Sequence, residues 1–166
     1  MTRDSRSDVD PHDGRDETQT ERSDRNWDEI LQELRVIQTG TQILTGFLLT
    51  LPFQQRFGEL EGYEVIVYLV LVVVSAVATS LALAPVALHR TLFRHRAKGP
   101  LVRIGNRLLK ATLVAVGLTL AGTAMLVFDV VIDLRAGVIA GASGLLLVVT
   151  FWLVIPLIVK RGHLRD

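Results

Sequence analysis

Four segments of the chain contain no Asp, Glu, Lys, Arg or His, and this feature constrains the fold most strongly. The segments are residues 36–55, 65–88, 111–128 and 136–159, each between 18 and 24 residues long. A helix that crosses the hydrocarbon core of a bilayer needs about 20 mostly apolar residues. We therefore predict an all-α fold, a bundle of four transmembrane helices, and exclude a soluble enzyme.

The polar residues that flank these segments set the expected boundaries. We predict a membrane domain at 26–166 that contains a basic cytoplasmic loop at 89–110 and four spans, at about 35–53, 63–88, 108–131 and 136–159. Residues 1–25 contain one Val and are otherwise almost entirely polar, so they hold too little apolar surface to offset the entropy of ordering. We expect them to form a disordered cytoplasmic tail.

A short amphipathic helix is expected just before the first span. Asn26 and Glu29 have the spacing of a capping box, which predicts that the helix starts there. Trp27, Ile30 and Leu34 follow at helical spacing on one face. An aromatic residue on such a face is typical of a helix at the membrane interface.

Lys and Arg are distributed unevenly among the segments outside the spans. Of the 18 residues, 16 fall in the N-terminal segment, the middle loop and the C-terminus, whereas Arg56 and Arg135 fall in the two remaining loops. Cytoplasmic segments of membrane proteins carry an excess of these cations. We expect both termini and the middle loop to lie in the cytoplasm.

The middle loop contains seven cations and no carboxylate, and it is the clearest local feature of the sequence. Each cation near an anionic leaflet contributes about 1 kcal/mol to membrane binding. Two interpretations are open. The cations determine the topology of the chain and make unspecific contacts with lipid headgroups, or they form a specific binding site for a headgroup or for a protein. Binding of nucleic acid is not expected because the loop is short and held at the bilayer. The candidate contacts for anionic phospholipid headgroups are Arg90, Arg94, Arg96, Lys98, Arg103 and Arg107.

A polar stripe lies in the first span. Gln38, Gln42 and Thr45 are spaced so that they share one face of a helix. Amide groups that face lipid would be left unpaired, at a considerable cost. We expect the stripe to face other helices or a wet cavity, either for interhelical hydrogen bonds or as a substrate path.

Two carboxylates, Asp129 and Asp133, stand four residues apart at the outer end of the third span. A carboxylate near a helix C-terminus is unfavourable unless it has a partner. We expect structural ion pairs with Arg135 or Arg56. The alternative is a proton site at Asp129, if that residue lies below the interface.

Small residues recur in the last three spans and predict close helix packing. Ala76, Ser80 and Ala84 repeat every four residues in the second span, and Gly137 and Gly141 do so in the fourth. The chain has no Cys, and His89 and His95 lie among cations, so no metal site is expected. No catalytic set and no phosphate-binding loop is found. We therefore expect no enzyme activity and no cofactor.

Several short blocks of the chain, between about residues 28 and 160, form a recognisable pattern. They are Glu33-Leu34-Arg35-Val36, Gln38-Thr39-Gly40, Gln42-Ile43-Leu44, Phe47-Leu48-Leu49, Leu51-Pro52-Phe53, Arg56-Phe57, Ala84-Pro85-Val86-Ala87, His89-Arg90, Phe93-Arg94 and Asp129-Val130. In these blocks the chain resembles small actinobacterial integral-membrane proteins catalogued as a domain of unknown function. The resemblance implies four spans, a variable polar N-terminal tail and the bacterial plasma membrane, and some members are labelled automatically as sodium/proton antiporters.

Three hypotheses for function follow. The first is a non-catalytic protein that acts through helix packing, as a homo-oligomer or as an accessory subunit of another membrane protein. The second is a small oligomeric transporter or proton- or cation-coupled carrier that uses the stripe and Asp129. The third is a sensor of the lipid surface that uses the basic loop.

Overall fold

The computed structural model describes residues 17–92 and 98–162. Two short 3-10 helices, Leu51–Phe53 and Gln55–Glu59, connect the first two α-helices, and a π-helical turn, Thr150–Val154, joins the last two. The α-helices within the described residues are α1 (Gln19–Thr50), α2 (Gly62–Leu92), α3 (Lys98–Val131), α4 (Leu134–Val149) and α5 (Ile155–Gly162).

Within residues 17–92 and 98–162, four helical stretches are long and apolar enough to cross a membrane. The prediction of an all-α fold with four membrane-length helices is therefore confirmed. The stretches are Glu21–Phe53, Gly62–Leu88, Val102–Val131 and Leu134–Arg161.

Helix α1 begins at Gln19, so the predicted start at Asn26 is wrong. The backbone N–H of Thr18 donates to the Glu21 carboxylate at 2.8 Å, and the backbone N–H of Glu21 donates to Thr18 Oγ1 at 3.4 Å. This reciprocal pair is a capping box that precedes the predicted one. Asn26 and Glu29 consequently lie inside the helix.

Ion pairs accompany this early start. The Arg25 guanidinium lies 2.7 Å from the Glu17 carboxylate and 3.1 Å from that of Glu29, one helical turn later. Part of the predicted disordered tail is therefore helical, from residue 19 to residue 25. Residues 1–16 of that tail lie outside the described residues.

The predicted basic loop is helical on both sides, because α2 continues to Leu92 and α3 begins at Lys98. Pro100 lies in the first turn of α3, where a missing N–H costs little because that N–H has no partner within the helix.

The π-helical turn precedes Pro156. A proline inside a helix lacks the N–H that would bond the fourth preceding carbonyl, here that of Trp152, and its ring clashes with that carbonyl. The widened turn provides a longer bond instead, from the N–H of Ile155 to the carbonyl of Thr150. Such local π adjustments keep backbone groups paired in a membrane helix.

Contacts divide the chain into two units. Among the described residues, the first comprises 17–40, 79–92 and 98–112, and the second comprises 41–78 and 113–162. The core of the first unit contains Ile30, Leu34, Ala82 and Leu109. The core of the second unit contains Leu48, Tyr68, Leu71 and Leu126.

In the first unit, the predicted apolar face of α1, which runs from Trp27 to Leu34, is covered by protein. Trp27 is buried, and a Cβ placed on Gly105 would lie 2.9 Å from its ring. The missing side chain at Gly105 thus leaves room for the indole. Trp27 was predicted to anchor at the membrane interface, but its ring packs against α3.

In the second unit, glycines bring α3 and α4 close together. A Cβ on Gly137 would lie 2.8 Å from the carbonyl oxygen of Met125, and a Cβ on Gly141 would lie 2.8 Å from the Cβ of Met125. Both distances are shorter than real contacts allow, so each position requires glycine at this spacing. The prediction of close packing through Gly137 and Gly141 is confirmed.

The small residues of α2 are buried in a different register from the predicted one. Ala76 and Ser80 are exposed and Ala84 is half-buried, so the predicted face of α2 is not the one that packs within this chain. The buried small side chains are those of Ser75, Ala78 and Ala82.

Candidate functional site

The second unit holds a buried carboxylate. Asp129 lies in the last turn of α3 and is 7% exposed. Tyr63, the second residue of α2, places its hydroxyl 3.1 Å from each oxygen of the Asp129 carboxylate and donates to it. This hydrogen bond supplies the partner that a carboxylate near a helix C-terminus requires.

The predicted ion pairs of Asp129 and Asp133 with Arg135 or Arg56 are wrong. Asp129, Asp133, Arg56 and Arg135 are all described, and they form no ion pair with one another. A tyrosine hydroxyl, not a guanidinium, satisfies Asp129.

Asp133 has a separate role as the N-cap of α4. Its side chain accepts a hydrogen bond of 2.7 Å from the backbone N–H of Ala136, and its own backbone is extended. A carboxylate is favourable there because the first N–H groups of a helix carry partial positive charge. The two carboxylates therefore do not form a joint site, although the sequence placed them four residues apart.

The fold holds Asp129 against α4. A Cβ on Gly137 would lie 2.8 Å from the Cβ of Asp129 and 3.1 Å from its Cα. A larger residue at position 137 would displace the last turn of α3. Gly137 therefore fixes the helix turn that carries the carboxylate.

A second carboxylate, Glu64, is also buried beside this end of α2. It is 7% exposed, and its Oε2 accepts a hydrogen bond of 2.6 Å from the backbone N–H of Glu61. A glutamate three residues after a cap position commonly satisfies a free N–H at a helix start in this way. Glu64 thus stabilises the start of α2.

Glu64 also lines an open cavity of about 330 Å³ whose polar side chains carry both signs of charge, and we call it the charged cavity. It contains one guanidinium and three carboxylates. Its lining residues are Arg56, Glu59, Leu60, Glu61, Glu64, Val130 and Val131.

A second cavity of about 240 Å³, which we call the apolar cavity, shares part of its wall with the charged cavity. Arg56, Leu60, Val130 and Val131 line both. The remaining walls of the apolar cavity come from Phe47, Leu51, Gln54, Phe57, Tyr68, Leu126 and Val127. Tyr68 is held by a hydrogen bond of 3.1 Å to the carbonyl of Leu48 and by an edge contact with Phe57, whose ring centroid lies 5.0 Å away.

The predicted polar stripe is divided by the structure. In the first unit, Gln38 donates a hydrogen bond of 2.9 Å to the carbonyl of Ala82, in the helical turn that precedes Pro85. In the second unit, Thr45 is half-buried and Gln42 is exposed. Within the single chain, Gln38 faces another helix, as expected of the stripe, whereas Gln42 does not.

The hydroxyl oxygen of Thr45 is buried, and it forms no hydrogen bond within residues 17–92 and 98–162. Thr41, which sequence reasoning left out, is 3% exposed and occupies the buried face of α1 in the second unit.

The structure describes only part of the basic loop. Arg103 and Arg107 lie exposed on α3. Arg90 belongs to α2 and Lys98 to α3, but the structure describes only the backbone of these two residues. Arg94 and Arg96 lie outside the described residues. Among the described residues, no three His, Cys, Asp or Glu side chains are grouped so that they could hold a metal ion.

Sequence reasoning missed Tyr63 and Glu64. The available signals were the spacing of Glu61 and Glu64, which fits a helix cap, and the position of Tyr63 at the end of an apolar segment, where aromatic residues are common. Neither signal indicates that Asp129 is the partner of Tyr63, because the two residues are 66 positions apart.

Comparisons with known proteins identify a family but no activity. Searches of the curated proteins and of the solved structures found no match. Residues 16–156 match a protein family described as "Family of unknown function (DUF6328)". Since the match extends from before the start of α1 into α5, the chain belongs to this family of unknown function.

Proposed function

We propose that the protein is a multi-pass protein of the bacterial plasma membrane that acts by packing against other membrane helices and does not catalyse a reaction. It would do so as a homo-oligomer or as an accessory subunit of another membrane protein. The four apolar helices support the membrane location. The excess of Lys and Arg in three segments supports cytoplasmic termini, and the resemblance to actinobacterial proteins supports a bacterial source.

The exposed side chain of Gln42 carries this proposal. Gln42 lies seven residues after Arg35, which is about 10 Å along the helix axis, inside the uncharged segment 36–55. Its amide forms no hydrogen bond with any described residue. An amide without a partner in hydrocarbon costs several kcal/mol, so a helix outside the single chain is needed to satisfy it.

Gly46 lies one turn after Gln42 on the same exposed face. A Cβ placed on Gly46 would meet nothing within 4 Å, in contrast to the closely packed Gly137 and Gly141. Small residues at membrane-helix interfaces let two backbones approach, and polar side chains beside them form interhelical hydrogen bonds. Gln42 and Gly46 together therefore favour a docking face for another helix.

Native mass spectrometry of the full chain in mild detergent tests the proposal. We expect an oligomer or a co-purifying membrane protein. Gln42→Leu should weaken the association by about 1 kcal/mol, roughly fivefold in the dissociation constant, because it removes one interhelical hydrogen bond.

Gln32→Leu is the matched control, since Gln32 is exposed on α1 before the uncharged segment begins. This substitution should leave assembly unchanged. A protein that is always a solitary monomer would contradict the proposal, and so would equal weakening by the two substitutions.

A second candidate is a proton- or cation-coupled carrier, and the buried carboxylate of Asp129 favours it. Ionisable residues inside membrane segments commonly belong to ion pathways. In proteoliposomes with an imposed ion gradient, Asp129→Asn should abolish coupled flux. Asp28→Asn, which changes an exposed carboxylate of α1, is the control and should leave the flux intact. Flux that survives both Asp129→Asn and Gln42→Leu would remove this candidate.

A further inference from the structure

We propose that the two adjoining cavities of the second unit bind one molecule of a zwitterionic phospholipid with a primary ammonium headgroup, of the phosphatidylethanolamine type. One acyl chain would occupy the apolar cavity, and the headgroup would occupy the charged cavity.

The apolar cavity has the size and surface for part of an acyl chain. Its volume of about 240 Å³ exceeds the roughly 150 Å³ of an engineered apolar cavity that binds benzene. Leu51, Phe57 and Leu126 contribute apolar walls. Phe47 and Val131 are half or more exposed, so the cavity opens on a surface where lipid chains would lie.

The charged cavity distinguishes among headgroups. Arg56 lies at the end of the uncharged segment 36–55, at the level where phosphates are expected, and a guanidinium binds a phosphate through two parallel hydrogen bonds. Glu59, Glu61 and Glu64 line the same cavity. They offer carboxylate oxygens to an ammonium group, which has three N–H donors.

Other lipid classes fit this charge pattern less well. An anionic headgroup without an ammonium, such as phosphatidylglycerol, would place its phosphate near three carboxylates with one cation to compensate. A choline headgroup has the same charge as ethanolamine but no N–H donors for the carboxylates. The arrangement therefore selects a phosphate and a primary ammonium on one molecule, attached to an apolar chain.

Native mass spectrometry with defined lipids tests the proposal on the full chain in mild detergent. Phosphatidylethanolamine, phosphatidylcholine and phosphatidylglycerol with identical acyl chains are each titrated. Arg56→Gln should weaken phosphatidylethanolamine binding roughly tenfold, because it removes a charge-assisted hydrogen bond. Arg135→Gln, which removes a cation that lines neither cavity, should leave this binding unchanged.

The carboxylates are tested by the double substitution Glu59→Gln and Glu61→Gln. The doubly substituted protein, which retains Arg56, should bind the three lipids with similar affinity and so lose the preference for phosphatidylethanolamine. If wild-type protein shows no such preference, or if Arg56→Gln and Arg135→Gln have equal effects, the headgroup assignment is wrong.

The acyl chain is tested separately. Val131→Phe should reduce phosphatidylethanolamine binding because Val131 lines both cavities. Ile132→Phe is the control and should not reduce it, since Ile132 is equally exposed, at 63%, but lines neither cavity. The water-soluble glycerophosphoethanolamine, which has the headgroup alone, should bind far more weakly than the lipid. Equal binding of the two would overturn the assignment of the apolar cavity.

Discussion

Two tyrosines of α2 use their hydroxyl groups for different acceptors in the second unit. Tyr63 donates to the Asp129 carboxylate, and Tyr68 donates to the backbone carbonyl of Leu48, each at 3.1 Å. A hydrogen bond to a charged acceptor contributes about 1.5–3 kcal/mol, and one between neutral groups contributes about 1 kcal/mol. A buried carboxylate that loses its donor also retains the cost of its burial.

Tyr63→Phe should therefore destabilise the protein more than Tyr68→Phe does. We expect a loss of about 1.5–3 kcal/mol for Tyr63→Phe and about 1 kcal/mol for Tyr68→Phe. The measurement is the unfolding free energy of the detergent-solubilised protein, with Tyr68→Phe as the matched control. An equal or larger loss for Tyr68→Phe would contradict the role assigned to the Tyr63–Asp129 pair.

The packing of α3 against α4 depends on glycines that differ in how much space surrounds them. A Cβ on Gly137 would come within 2.8 Å of a backbone oxygen, whereas a Cβ on Gly144 would find its nearest neighbour at 3.6 Å, an ordinary contact distance. Backbone atoms cannot rotate away as the end of a flexible side chain can. A methyl group at position 137 therefore forces the two helices apart, and one at position 144 does not.

Gly137→Ala should destabilise the protein by about 1–3 kcal/mol, the usual cost of overpacking. Gly144→Ala should be close to neutral or slightly stabilising, because alanine also has the higher helix propensity. Thermal unfolding followed by circular dichroism compares the two variants. Similar melting temperatures for both would show that the α3–α4 contact tolerates greater separation than the structure has.

The whole molecule combines four membrane-length helices with cations that are concentrated in alternate connecting segments. The energetic preference for keeping Lys and Arg in the cytoplasm acts on the chain as it inserts. We therefore expect the segment between α1 and α2 to lie outside the cell and the segment between α2 and α3 to lie inside.

Labelling of introduced cysteines in intact cells tests this orientation, and the chain has no Cys of its own. A membrane-impermeant maleimide should label Glu59→Cys at once and should label Lys98→Cys only after the cells are permeabilised. Thr119→Cys, at a fully buried position of α3, should resist labelling in both conditions. The opposite pattern for positions 59 and 98 would show that the orientation is reversed.

Several features of the fold follow from the sequence alone. Hydropathy adds up along a segment, so the four spans are readable without knowledge of their neighbours. The spacing of Gly137 and Gly141 in α4 likewise predicts close packing without knowledge of the neighbouring helix. The two positions share one helix face, and another backbone can approach that face because it has no side chain there. These properties belong to single segments.

Only the tertiary structure decided which groups meet. The rotation of α2 determines that Ser75, Ala78 and Ala82 are buried while Ala76 and Ser80 are exposed, and both sets have small side chains. The partner of Asp129 is Tyr63, not Arg135, which is closer in the sequence. The reason is that the start of α2 lies beside the end of α3. Composition and spacing describe one helix at a time, whereas partners depend on how helices rotate and approach one another.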